Sequence, residues 1–140
     1  MKVVHLINKK KQNFDPKTKG PYDTKHEGLF LTDLVNVYVS CCWDFKVEDA
    51  EELIGGRIYL HHTKKKISFM GGVVTKVTNC DLRFANKYFD PQKQKIPSRF
   101  DRVFIEFRST HKDRHVWWNS AGHVHPMAWT TGIIDVDATR

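Results

Sequence analysis

Apolar side chains return at every second position over several short stretches of this chain, and that period restricts the possible folds more than any other feature. Val103, Ile105 and Phe107 alternate with Phe104, Glu106 and Arg108, and Val35, Val37 and Val39 alternate with Asn36, Tyr38 and Ser40. Successive side chains of an extended strand leave on opposite faces, so runs of this kind lay one face on a core as strands and not as helices. Strands are therefore predicted at residues 3–7, from Leu29 to an end near Trp43, and at 57–61, 67–77 and 101–108. Gly71 and Gly72 interrupt the fourth run, and a glycine pair inside a strand marks a bulge or a place where something approaches the backbone closely.

One stretch breaks the alternation. Val47, Ala50, Leu53 and Ile54 recur at three and four, with Asp44 ahead of them and Glu48, Asp49, Glu51 and Glu52 between. This spacing predicts a short helix that stops at Gly55 and Gly56, its acids near the positive end of the dipole and a glycine free to take the left-handed C-cap. Basic loops are expected near residues 8–27 and 85–100, the first of them mobile, and residues 62–66 (His-Thr-Lys-Lys-Lys) have the length of a hairpin loop. No internal repeat, low-complexity tract or Pro/Ser linker divides the chain, so its 140 residues read as one α+β domain.

Hydrophobic residues make up 40% of the sequence, too much apolar material for a disordered chain to leave in water. The 23 Lys and Arg against 16 Asp and Glu give a formal charge of +7, which attracts anions and makes a nucleic acid, RNA or DNA, the obvious partner. Net charge says nothing direct about specificity, and a merely soluble basic surface is the plain alternative. The three cysteines, Cys41, Cys42 and Cys80, show neither a disulfide framework nor a CxxC knuckle. We read them as buried thiols in a reducing compartment. The apolar stretch within MKVVHLINKKK is too short for a signal core or a membrane span, so a cytoplasmic location and no membrane partner are expected. The oligomeric state is not readable from the residues.

For catalysis, the best carboxylate pair that could hold a hard cation is Asp101 with Glu106, whose odd spacing sends them to opposite faces of one strand. His111, His115, His123 and His125 lie within fifteen residues and imidazole ligates zinc, but no Cys or carboxylate stands at a recognised metal spacing. No metal, cofactor or catalytic residue is therefore assigned. A small metal- or histidine-dependent nuclease or hydrolase working through this histidine-rich segment is one alternative function, and a protein-interaction domain is another.

A strand ending in Trp43, an acidic helix, Gly-Gly-Arg-Ile-Tyr-Leu-His-His at 55–62, a short loop, Ile-Ser-Phe-Met-Gly-Gly-Val-Val-Thr-Lys-Val at 67–77 and Arg-Val-Phe-Ile-Glu-Phe-Arg at 102–108 follow in that order. This arrangement resembles the PUA-like superfamily, its EVE, ASCH and YTH branches above all, with the likeness concentrated between Gly55 and Lys76 and with Trp43 where YTH-type domains often keep an aromatic. The resemblance implies a small open β-barrel with one or two short helices and a cleft for a flipped or single-stranded base, often a modified one, gripped by aromatic rings. Some ASCH-type proteins are ribonucleases, and by that likeness Tyr59, Thr75 and Lys76 are acid-base candidates. A base offers a flat π-face on which an indole stacks for roughly 1 to 3 kcal/mol while Lys and Arg hold the phosphates. The expected nucleic-acid-binding residues are Trp43, Trp117 and Trp118 as rings, Tyr59 and His61 on the strand that carries the likeness, and Lys64, Lys65, Lys66, Lys93, Lys95 and Arg99 as phosphate contacts. Because neighbours in a strand face opposite ways, one of Trp117 and Trp118 must leave the core unless both faces are covered.

Overall fold

The computed structural model describes residues 1–79, 87–88, 102–118 and 133–135. Most of them lie in strands: β1 (Lys2–Ile7), β2 (Leu29–Leu31), β3 (Val37–Trp43), β4 (Arg57–His61), β5 (Met70–Asn79), β6 (Val103–Ser109) and β7 (Ile133–Asp135). Among the described residues, helix is limited to α1 (Val47–Glu51), the single 3-10 turn η1 (His111–Asp113) and the helical pair Lys87 and Tyr88. The strands form one sheet in the order β2-β3-β6-β5-β4-β1-β7, parallel only between β1 and β4. The expected sheet-rich fold with very little helix is what the chain adopts.

The β1–β4 pair shows why period two mattered. Val4, Leu6, Ile58 and Leu60 point to one face, where they form the main core with Leu29, Phe45, Ala50, Leu53, Val74, Val103, Ile105 and Phe107. α1 supplies Ala50 to that core, and Leu53 follows in the turn behind it. The helix is shorter than its apolar spacing suggested, because Lys46 at its start offers no side-chain cap and hydrogen bonding passes into turns after Glu51. Gly55 does take the left-handed conformation, at φ +85°, and its N–H donates to Val74 O at 2.8 Å. The opposite face is covered too: Phe104 packs with Phe30, Val39, Cys41 and Tyr88.

The single strand expected from Leu29 to Trp43 is instead a hairpin. β2 and β3 pair antiparallel, and the turn between them leaves Val35 87% exposed with Asn36 at φ +63°. The Thr32 hydroxyl closes that turn by donating to Val37 O at 2.9 Å and accepting from Leu34 N–H at 3.1 Å, a local bond that competes with strand continuation. The loop at 8–27, expected to be mobile, is tied to itself by Lys11 N–H donating to Lys25 O and Glu27 N–H donating to Lys9 O, both at 2.8 Å. Cys41 and Cys42, read as thiols, are joined to each other in a disulfide across a cis peptide bond. A bond between sequence neighbours leaves no spacing pattern to count, which is why no framework was visible. The loop at 85–100, apart from Lys87 and Tyr88, lies outside the described residues, as do Cys80 and Asp101.

The glycine pair in β5 marks a close approach. A Cβ on Gly72 would sit 1.9 Å from Arg108 O on β6, and one on Gly71 would sit 2.8 Å from Asp113 O in η1. The bulge falls later, where the register with β6 shifts between Val74 and Lys76. This contact lets the segment after β6 lie across the sheet, and there it meets the other face of β1 and β4.

Candidate nucleic-acid interface

That other face carries Val3, His5, Arg57, Tyr59 and His61, and residues 110–118 lie against it. Asp113 is 3% exposed and accepts from Arg57 Nη1 at 2.9 Å and from the Thr110 hydroxyl. Burial, followed by the Asp113 charge, pushes the Tyr59 hydroxyl up to about 12. Ser68, also buried, ties the same segment down: its hydroxyl donates to Asp113 O at 2.8 Å and accepts from Val116 N–H at 3.0 Å. Trp118 then covers the strand face, its ring 5.2 Å from His5 and 4.8 Å from His61.

This placement sorts the predicted rings. Trp117 is 57% exposed, whereas Trp118 is 2% exposed. The two adjacent indoles do divide between surface and interior, and Trp118 cannot offer a face to a guest because the polar aromatic face of β1 and β4 occupies it. Tyr59 and His61, expected as ligand contacts, are placed in the interior, at 5% and 0% exposure. Tyr59 is held by Asp113, while Thr75 donates to Glu106 Oε1 at 3.0 Å, so these two of the three acid-base candidates serve separate carboxylates. Trp43 is half-buried, its indole N–H donating to the Ser40 hydroxyl at 2.9 Å.

Lys64, Lys65 and Lys66 are exposed on the loop between β4 and β5. The loop is braced from below. His61 Nδ1 meets Lys66 O at 2.8 Å, Lys65 N–H donates to the Thr63 hydroxyl at 3.2 Å, and Lys64 Nζ stands over the Trp118 ring at 5.4 Å. On one side of it is a cavity of about 260 Å³ lined by Leu6, Ile7, Trp43, Asp44, Lys64 and Arg102 among others. On the other is a wider recess of about 360 Å³ lined by His62, Lys65, Lys66, Phe69, His115 and Trp117 among others. Compared with protein-family models, with curated proteins and with solved structures, the chain matches none of them.

The same surface also holds residues that sequence reasoning passed over. His26 and His62 stack with Phe69, their rings 4.2 and 4.4 Å from it and 5.1 Å from each other, and their Nε2 atoms are 2.9 Å apart. Burial, aided by His62 and the charges of Lys25, Lys10 and Lys11, lowers His26 to about 4. His62 is lowered as well, by burial and then by Lys10, Lys66 and Lys25. The period-two spacing of His5 with Val3, and of Arg57, Tyr59 and His61, was the available signal for the buried face. For His26 there was none, since its loop reads as polar coil. His111 and His115 are exposed, His123 and His125 lie outside the described residues, and so do Lys93, Lys95 and Arg99. Among the described residues no group of three or more His, Cys, Asp or Glu could hold a metal ion, and no helix is long and apolar enough to cross a membrane.

Proposed function

We propose that the chain is a nucleic-acid-binding module that receives an unpaired base against Trp43 and holds the flanking backbone on the loop of Lys64, Lys65 and Lys66. The observation that carries this reading is that an indole stands on each side of that lysine loop, Trp43 in one cavity and exposed Trp117 in the other. The Trp43 cavity, about 260 Å³, is near the lower end of the roughly 300–1,000 Å³ typical of ligand pockets, room for one flat ring system. Arg102 and Lys64 supply cations at its rim, and Asp44 supplies an acceptor suited to the N–H donors on a base edge. Stacking on a π-face with lysines on the phosphates is how single strands are bound with little sequence preference. A small open PUA-like barrel belongs to the same reading, supported by the order of elements around Gly55 to Lys76.

Titration of tryptophan emission with single-stranded oligonucleotides tests it. Quenching that is lost in Trp43→Ala and only weakened in Lys65→Ala is expected. An absence of quenching with every RNA and DNA strand overturns the reading.

A further inference from the structure

We propose that the recess between the lysine loop and Trp117 is a phosphate subsite in which Lys65, Lys66 and His62 hold the anion while the His26–His62 pair takes up one proton from solvent. The ligand class rests on the nucleic-acid reading, and the proton-linked anion site goes beyond it.

Two imidazoles facing each other through Nε2 at 2.9 Å share one hydrogen, so one ring donates and the other accepts. A neutral pair of this kind can add a single proton on the outer nitrogen of the donating ring and keep its bridge. A second proton would place two N–H groups head to head. The pair therefore changes charge by one without coming apart, held in register by Phe69 stacked on both rings.

Burial is the first thing that keeps the proton off, and neighbouring cations add to it. The charges that act on the pair are those of Lys10, Lys11 and Lys25 from the 8–27 loop and Lys66 from the lysine loop. On the same elements Glu27 is exposed, and Asp23 faces Lys11 at 3.9 Å. His115, across the recess, is an exposed imidazole. A phosphate oxygen seated among Lys65, Lys66 and His62 offsets the lysine field and accepts a hydrogen bond, which favours the protonated pair. Linkage then works in both directions: the anion draws the proton in, and acid tightens the anion.

The probe is a hexameric strand of abasic deoxyribose phosphates, which offers phosphodiesters and no base, with sulfate as a free anion. Neither titrates between pH 5.5 and 7.5. Affinity for the abasic strand is expected to tighten about tenfold between those limits, within the ceiling of about tenfold per pH unit that one linked proton allows. Calorimetry in buffers of different ionisation enthalpy should report proton uptake by the unaltered protein, so the test does not depend on any variant folding. His26→Gln, outside the lining of the recess, should flatten the pH dependence while leaving affinity at pH 8 within about twofold, whereas His62→Gln, which removes a group that holds the anion, should flatten it and weaken binding at pH 8 as well. Sulfate binding with the same slope, where the abasic strand shows none, keeps the anion site and assigns it to a free phosphate. No proton uptake with either probe, or a slope that survives in both glutamine variants, overturns the proposal. The base-stacking reading fails by a different sign: oligothymidylate then quenches no tryptophan and binds no tighter than the abasic strand, while proton uptake persists.

Discussion

His5 and His61 meet nitrogen to nitrogen in the interior, Nδ1 of the first 2.7 Å from Nε2 of the second. The tautomers follow from the neighbours. His61 Nδ1 faces the Lys66 carbonyl, so it carries the hydrogen and Nε2 is left to accept. His5 must then donate from Nδ1. This short relay runs from β1 through β4 to the base of the lysine loop, and it ties the loop's position to the strand interior.

Replacing His5 with Phe keeps a flat ring between Tyr59 and Trp118 but leaves the His61 acceptor buried without a donor. The expected cost is about 1–3 kcal/mol, read as a lower urea midpoint with unchanged slope. A variant as stable as the parent would mean that the bond contributes nothing net.

Folding stability should depend on pH in a fixed direction. His26 falls from 6.5 to about 4 on folding, and His61 and His62 are also lowered, chiefly by burial. Between those two values the unfolded chain binds more protons than the folded one. Stability from these groups is therefore full above about pH 6.5 and is lost as pH falls toward about 4, by roughly 3 kcal/mol for His26 alone. Denaturation midpoints at pH 7.5, 6 and 4.5 check this, and a midpoint that rises on acidification contradicts it.

The two neighbouring indoles should separate cleanly. Trp118→Ala removes a ring packed on His5 and His61 and should cost about 3–5 kcal/mol of stability. Trp117→Ala, at a mostly exposed position, should stay within about 0.5 kcal/mol of the parent and change only ligand-dependent fluorescence.

Asp113→Ala should cost roughly 3 kcal/mol or more, since it leaves Arg57 without its partner at only 17% side-chain exposure and releases the segment that carries both indoles. Thermal unfolding measures the loss. Reduced binding with stability unchanged would show instead that Asp113 acts on the ligand.

Binding of single strands should weaken with salt. Replacing Lys64, Lys65 and Lys66 with Gln should lower the slope of log affinity against log salt by about 2, at roughly 0.7 per phosphate contact. An unchanged slope would place the backbone elsewhere on the protein.

Much of the fold was legible because local spacing and tertiary position agree where the period is two. Val103, Ile105 and Phe107 enter the main core as their alternation requires, and Gly71 and Gly72 mark a real close approach. The run from Leu29 to Trp43 misled because apolar identity alone does not reveal a Thr32 hydroxyl closing a turn. The choice between Trp117 and Trp118 was open for a related reason: alternation says that the two part company, and only the neighbouring sheet says which goes inside.

The sequence by itself determined a sheet-rich chain with one short helix and a positively charged loop between two of its strands, because period, glycine placement and charge are properties of neighbours along the backbone. Tertiary structure alone decided that His5 lies beside His61, that His26 lies beside His62, and that an indole stands in a cavity on each side of the lysine loop. Those pairs are joined across 56 and 36 residues, and contacts at such range are set by sheet register and segment packing, which no local pattern encodes.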